Sequence, residues 1–295
     1  MQKIFAWMTA IPVVALLAAC AAPIRPAAVA NDATLGWGGT DAVGVARQWV
    51  HKEFPGKPST EYEYAFDGTL PSVRARSDGS ASMLKTPVQV PPEAIGRLQF
   101  SWKVPALIAD ADMTRRDADD APSRVVLAFE GDRSRLSTKD AILSELARTL
   151  TGEEMPYATL MYVWCNKRPV GSVIAHPRSD RIKSIVVESG PARLGQWLAY
   201  DRDVKADFEK AFGEAPGMLA GIGVMTDSDN TASRALAWYG PVRLAPAGGA
   251  AQAVASHPLS GCRRLLVCRT HAALAEPACI DAMPVACDTP GVPQA

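Results

Sequence analysis

Leu98, Phe100, Trp102 and Val104 alternate with Gln99, Ser101 and Lys103. A period of two places one set on each face of an extended strand, so this stretch has an apolar face to bury and a polar face to leave out. The signature recurs along the chain. Residues 61–66 precede the turn Asp67-Gly68, residues 72–76 precede Asp78-Gly79, and residues 124–129, 158–164, 182–187, 219–225 and 235–244 are short apolar runs between turn signals. At least eight short strands punctuated in this way predict a mainly β fold, a jelly-roll-like antiparallel β-sandwich. Three helices are expected among them. Asp41 can cap the first, carrying Val45, Trp49 and Val50; Ser137 or Thr138 caps the second, with Ile142, Leu146 and Leu150 on one face. Asp201 or Asp203 opens the third, where Val204, Phe208 and Phe212 recur every four residues before Gly213. These caps and spacings are the ordinary helix signals. Helices following pairs of strands, not each strand, disfavour a parallel α/β sheet.

The ends of the chain set compartment and boundaries. Lys3 is followed by an apolar run over residues 4–19, broken only by Thr9 and Pro12 and ending in Leu17-Ala18-Ala19-Cys20. The run is short for a membrane span and reads as a signal peptide over residues 1–20. Its last four residues resemble the bacterial lipobox. That resemblance implies lipid on Cys20, a membrane partner through acyl chains, and a cell-envelope location, with Ala21 pointing to the outer membrane. An ordinary secretory cleavage near Ala19 or Ala22 is the alternative. Residues 21–36 are Ala/Pro-rich and read as a tether, residues 37–246 as the sandwich, and residues 247–295 as a low-order tail. The tail carries Cys262, Cys268, Cys279 and Cys287. In an oxidising envelope these suggest two disulfides in any of three connectivities, and the lack of a CxxC pair argues against zinc. Cys165, in an apolar run after Trp164, is expected to be a buried thiol.

Lys+Arg and Asp+Glu balance at 31 each, and no basic stripe is interleaved with aromatics. Nucleic acid is therefore not an expected partner.

Specific strings carry a family resemblance. Phe100-Ser101-Trp102-Lys103-Val104, Asp119-Asp120-Ala121-Pro122, the run from Tyr157 to Trp164, Ile185-Val186-Val187-Glu188-Ser189-Gly190, Gly221-Ile222-Gly223-Val224-Met225-Thr226-Asp227 and Ala237-Trp238-Tyr239-Gly240 resemble the bacterial domain-of-unknown-function family 3047. The resemblance runs from about Trp37 to Leu244 and implies an extent, not a mechanism. The last third of the body is also similar, more loosely, to jelly-roll carbohydrate-binding modules. Pro241 stands where those modules commonly carry an acidic residue, against a structural calcium at that position.

Asp227, Ser228, Asp229 and Asn230 put four oxygen-bearing side chains at the end of a strand. Turn chemistry explains such a run, because Asp and Asn hydrogen-bond their own backbone. Calcium is the metal that oxygens alone would hold, with Asp227, Asp229 and Asp119 as ligands and Asp117 or Asp120 as further donors. The helix-loop-helix calcium pattern is not met, since Ala232 and Trp238 stand where glycine and glutamate belong. Aromatics offer a second site. Of the adjacent Trp238 and Tyr239 one should face outward as a sugar platform, with Asp227, Asp229 and Asn230 as hydroxyl partners. Trp102 shares its face with Leu98, Phe100 and Val104 and is expected in the core.

No catalytic residues are assigned. His176 with Asp180 is a possible acid/base pair, and Glu130, Asp132 and Glu188 are possible glycosidase carboxylates. No GxSxG elbow or HExxH motif is present, and Gly221-x-Gly223 lacks a third glycine. The sequence thus predicts a non-catalytic, lipid-anchored module binding a glycan or other envelope ligand. A scaffold lipoprotein and a glycoside-active hydrolase are the alternatives.

Overall fold

Two curled sheets of seven strands each make up the body. The computed structural model describes Ala33–Leu35 and residues 49–247 other than Thr69, all within one compact unit, Met1–Gly249. The stretch read as a signal peptide, with Cys20, most of the stretch read as a tether, and Cys262, Cys268, Cys279 and Cys287 lie outside the described residues.

The first sheet holds β1 (Ala33–Leu35), β3 (Glu61–Asp67), β4 (Leu70–Asp78), β6 (Ile95–Lys103), β11 (Trp197–Asp203), β13 (Arg234–Tyr239) and β14 (Val242–Pro246). Strand β6 is its centre, with β11 along one edge and β13 and β14 sharing the other. The second sheet runs β2 (Val50–Glu53), β5 (Ala81–Val90), β12 (Leu219–Asp227), β7 (Ala121–Phe129), β8 (Ala158–Cys165), β10 (Ser179–Ser189) and β9 (Val173–His176). Every pairing is antiparallel except β8 with β10. The fold is the expected jelly-roll-like sandwich.

Period-two patterning selects the inner faces. Leu98, Phe100 and Trp102 of β6 point inward with Ala237 and Tyr239 of β13, and meet Val125, Leu127, Leu160, Tyr162 and Trp164 from the second sheet. Phe100 stacks on Tyr162 and on Tyr200, with ring centroids 5.5 and 5.2 Å apart. Trp102 and Cys165 are buried as expected.

Two helices are described: α1 (Thr138–Thr151) and α2 (Val204–Phe212). Their boundaries follow the caps read from sequence. Ser137 accepts from Asp140 N and Asp203 from Ala206 N, and Gly152 and Gly213 close the helices at φ 76° and 72°, a backbone conformation glycine adopts without a steric cost. Helix α2 seats Phe208 against Phe129, centroids 4.6 Å apart. Helix α1 is inverted. Its apolar stripe, Ile142, Leu146 and Leu150, is 63, 52 and 63 % exposed, while Asp140 and Ser144 are its buried residues.

Three elements depart from the sequence reading. Val50, expected on a helix opening at Asp41, begins β2; residues 41–48 are outside the described set. Residues 235–244 are two strands, because Gly240 and Pro241 interrupt them and redirect the chain. Ala33–Leu35, within the stretch read as tether, pairs with β14 as an edge strand.

Candidate functional site

Strand β12 carries Gly221, Gly223 and Met225 on the face opposite to its buried Ile222 and Val224. That face is the outside of the second sheet. Register extends the pattern into rows. Lys85, Gly223, Val126 and Met161 lie side by side across β5, β12, β7 and β8, and Pro87, Gly221, Ala128 and Thr159 form the next row. A third row, Lys52, Met83, Met225 and Arg124, starts on β2 and leads to the polar end. These rows floor a groove of about 900 Å³. Glycine at both central positions removes the side chains that would otherwise fill it, the arrangement expected where another chain lies close to a strand. A Cβ on Gly223 would sit 3.1 Å from the Leu84 carbonyl oxygen, whereas one on Gly221 would make ordinary contacts, 3.6 Å from the Ala128 Cβ.

Helix α1 roofs the groove. At its start Ser179 Oγ of β10 donates to Asp140 Oδ1 at 2.6 Å; in the turn after it, Glu153 Oε2 accepts from Lys52 of β2 and Lys85 of β5 at 2.9 and 3.1 Å. Its 14 residues give about 21 Å of helix, which matches the roughly 19 Å from β10 to β5 at the usual strand spacing. Small side chains, Ala147 and Thr151, face the groove. The helix is therefore tied at both ends, and between them buried Ser144 accepts from Arg133 Nη1 at 3.1 Å.

At the polar end, Arg124 is buried beneath the groove. Its Nε and Nη2 donate to Asp227 at 2.8 and 3.0 Å, and Nη2 also reaches Asp119 Oδ1 at 3.3 Å. Burial pushes the Asp227 carboxyl up to about 6, with Arg124 pulling the other way. For Asp119, Arg124 and His176 outweigh burial and hold the carboxyl below its ordinary range. Tyr239 supports this end from behind. It is 1 % exposed, and its hydroxyl crosses the sandwich to donate to the Met225 carbonyl at 2.6 Å and to meet Thr226 Oγ1 at 2.8 Å.

The oxygen-rich run is first a turn. Asp120 clamps it, accepting from Asn230 N and Nδ2 and from Thr231 N and Oγ1 at 2.6–3.1 Å. Ala232 takes the left-handed conformation at φ 49°, a strained position for alanine that the clamp holds in place.

Carboxylate oxygens of Asp120, Asp227 and Asp229 lie within 4.8 Å of one another. Asp119, expected with Asp227 and Asp229 as a calcium ligand, instead pairs with Arg124 and His176. The donor set does not suit calcium. Asp120 is saturated by its four donors, Asp227 by Arg124 and Ala121 N, and Asp229 takes Lys57, so fixed N–H groups and cations already supply the countercharge.

Other expected residues separate. Tyr239 is not a ligand-facing residue, because its face of β13 is the inner one. Trp238 points outward as one of the pair should, but from the first sheet, opposite to the Asp227 end, with Lys103 Nζ 4.6 Å above its ring. One ligand cannot span both. His176 pairs not with Asp180 but with Asp119, Nε2 to Oδ2 at 2.9 Å, while Nδ1 accepts from Arg178 N. Both ring nitrogens are thereby committed. Asp132 caps a turn through Ser134, and Glu188 is buried against Arg193 and Tyr200. Of the proposed glycosidase carboxylates only Glu130 lines the groove, so they do not assemble as a facing pair.

Arg124, the methionines of the floor and the lysines of its wall were not singled out in the sequence. The legible signal was glycine at alternate positions of a strand.

Residues 47–243, well over half of the chain, match the family described as "Protein of unknown function (DUF3047)". The chain belongs to the DUF3047 family. The DUF3047 match begins just before β2 and ends within β14, so it takes in every element of the groove. No curated protein matches the sequence. Among solved structures the chain is similar to the family 11 carbohydrate-binding module of the cellulosomal cellulase Lic26A-Cel5E of Clostridium thermocellum, at 10 % identity over 74 % of this chain and 95 % of that one, TM-score 0.35. It is also similar to the Spr0440 glycoside hydrolase domain, Endo-D, of Streptococcus pneumoniae R6, at 11 % identity over 67 % of this chain and 21 % of that one, TM-score 0.28.

Proposed function

We propose that this protein is a non-catalytic binding module that seats a glycan chain in the groove beneath α1. The observation that carries the reading is the floor, where Gly221 and Gly223 clear the middle of β12 for a thin, extended ligand. A sugar ring suits such a site. Its C–H face can lie on Val126, Met161 and Met225, while its hydroxyls meet the Thr159 hydroxyl and the polar end at Asp229. The cavity has the size and the mixed apolar and polar lining typical of ligand sites. The expected lipid anchor at Cys20 would hold the groove at an envelope surface. Incorporation of labelled palmitate, abolished by Cys20→Ala, tests that part.

The groove is tested by thermal melting against envelope polysaccharides, with and without calcium. A ligand at about 100 times its Kd stabilises by about 2.7 kcal/mol, which for a body of this size raises Tm by roughly 5–11 °C. Gly221→Leu should fold, since a Cβ fits there, and should abolish the shift by filling the groove. A shift that survives Gly221→Leu, or no shift with any glycan, refutes the assignment.

A further inference from the structure

Lys52 and Lys85 project from the adjacent strands β2 and β5 and converge on a single oxygen, Glu153 Oε2, at 2.9 and 3.1 Å. Two ammonium groups thus face one carboxylate. Neither lysine has another acidic partner among the described residues, and Glu153 comes from the turn after α1, with its side chain 57 % exposed. The lysines hold the Glu153 carboxyl below its ordinary range, which keeps it ionised at neutral pH. On the opposite wall Arg178 is exposed beside His176, and its guanidinium has no acidic partner among the described residues. Five Lys and Arg and six Asp and Glu line the groove, and within that lining positive charge exceeds its acidic partners at two places, one of them covered by a displaceable carboxylate.

Building on the glycan reading above, we propose that the Lys52–Lys85 pair is an anion subsite, that Glu153 occupies it in the free protein as an internal mimic, and that the ligand is a glycan bearing carboxylates. A uronate seated on the floor row of Gly223 and Val126 would take the place of Glu153 on the two lysines, and a second acidic sugar further along the chain would meet Arg178. Displacement releases Glu153 and with it the tie of the turn after α1 to β2 and β5, while Arg133 keeps its hold on Glu154 and the Met155 carbonyl, so the roof loosens at that end as the acidic chain enters.

The test titrates the full-length protein with an oligogalacturonate, its carboxyl-reduced neutral counterpart and polyglutamate, by calorimetry at low and moderate salt. The acidic sugar should bind more tightly than the neutral one and weaken with salt. Glu153→Gln removes the competitor and should tighten oligogalacturonate binding about three- to fivefold, the worth of one or two part-exposed ion pairs, without changing the neutral chain. Lys52→Gln with Lys85→Gln should weaken oligogalacturonate about tenfold and reduce its salt dependence. All three side chains are at least a quarter exposed, and melting curves verify that the variants fold. If the neutral chain binds as well as the acidic one, or Glu153→Gln leaves acidic binding unchanged or weaker, the subsite is refuted and the groove reading stands. Binding of neither sugar overturns both. Equal binding of polyglutamate would show recognition of charge without the sugar and would also overturn the proposal.

Discussion

Replacing Arg124 by methionine tests the electrostatics of the polar end. In the native protein Arg124 and Asp227 are each 3 % exposed and joined by two hydrogen bonds. Methionine keeps most of the side-chain length but leaves Asp227 buried beside Asp119 and Asp120 without its countercharge. Removing one partner of a buried pair costs about 3–5 kcal/mol, or roughly 6–20 °C in Tm for a body of this size. The sign of the pH dependence follows from Asp227. Its carboxyl is raised to about 6 in the folded protein, against about 3.9 in an unfolded chain. Its contribution to stability is therefore full below the unfolded value and is lost as pH rises through the folded one. Without Arg124 the carboxyl rises further, so the penalty should be largest near pH 8 and shrink towards pH 5, where Asp227 is protonated in both proteins. Thermal melts followed by circular dichroism at pH 5 and pH 8 measure both quantities. A loss under about 2 °C at pH 8, or an equal loss at both pH values, would refute the reasoning. Combining Arg124→Met with Asp227→Leu should recover much of the loss, because an apolar pair requires no countercharge.

Other substitutions probe separate links. Tyr239→Phe should cost about 1–3 kcal/mol by denaturant titration, since it removes a buried hydroxyl that ties β13 to β12. Leu146→Ser on the exposed stripe of α1 should change stability by no more than about 0.5 kcal/mol, whereas Leu160→Ala in the core should cost about 2–5 kcal/mol. Gly217→Ala should destabilise by about 1–3 kcal/mol, because its Cβ would lie 2.0 Å from the Glu130 carbonyl oxygen and the backbone must move.

Much of the fold was legible where one face of a strand is buried. The alternation of β6 alone places Leu98, Phe100 and Trp102 on one face, and that face is the core. Strand β5 was not legible, since Pro87 argues against a strand. It is tolerated because β2 pairs only with residues 82–85, leaving β5 locally an edge. Strand β11 ends in Asp201, Arg202 and Asp203, a polar run that reads as the approach to a helix cap. The cap at Ser137 and the spacing of Ile142, Leu146 and Leu150 show a helix but not its orientation: amphipathic spacing shows that a face exists, and ties through Asp140, Ser144 and Glu153 decide which way it points. The groove was the least legible part. Its floor exists only through the register of five strands drawn from residues 50–227, and the ion pair at its polar end joins residues 103 apart in sequence. A local window sees Gly221 and Gly223 as an incomplete motif, while in the sheet they are an opening.

The inverted packing of α1 bears on how the molecule breathes. A helix held by polar ties at residues 140, 144 and 153, with its apolar stripe exposed, shares little apolar surface with the sandwich. It can come loose without unfolding the sheets, as a separate cooperative unit. Its amides should therefore exchange with solvent by local openings that respond weakly to denaturant, while those of β7, β8 and β12 wait for global unfolding. Under native conditions the isotope pattern would then show the roof and the floor of one cavity on two clocks, the faster one set by the bonds at residues 140, 144 and 153.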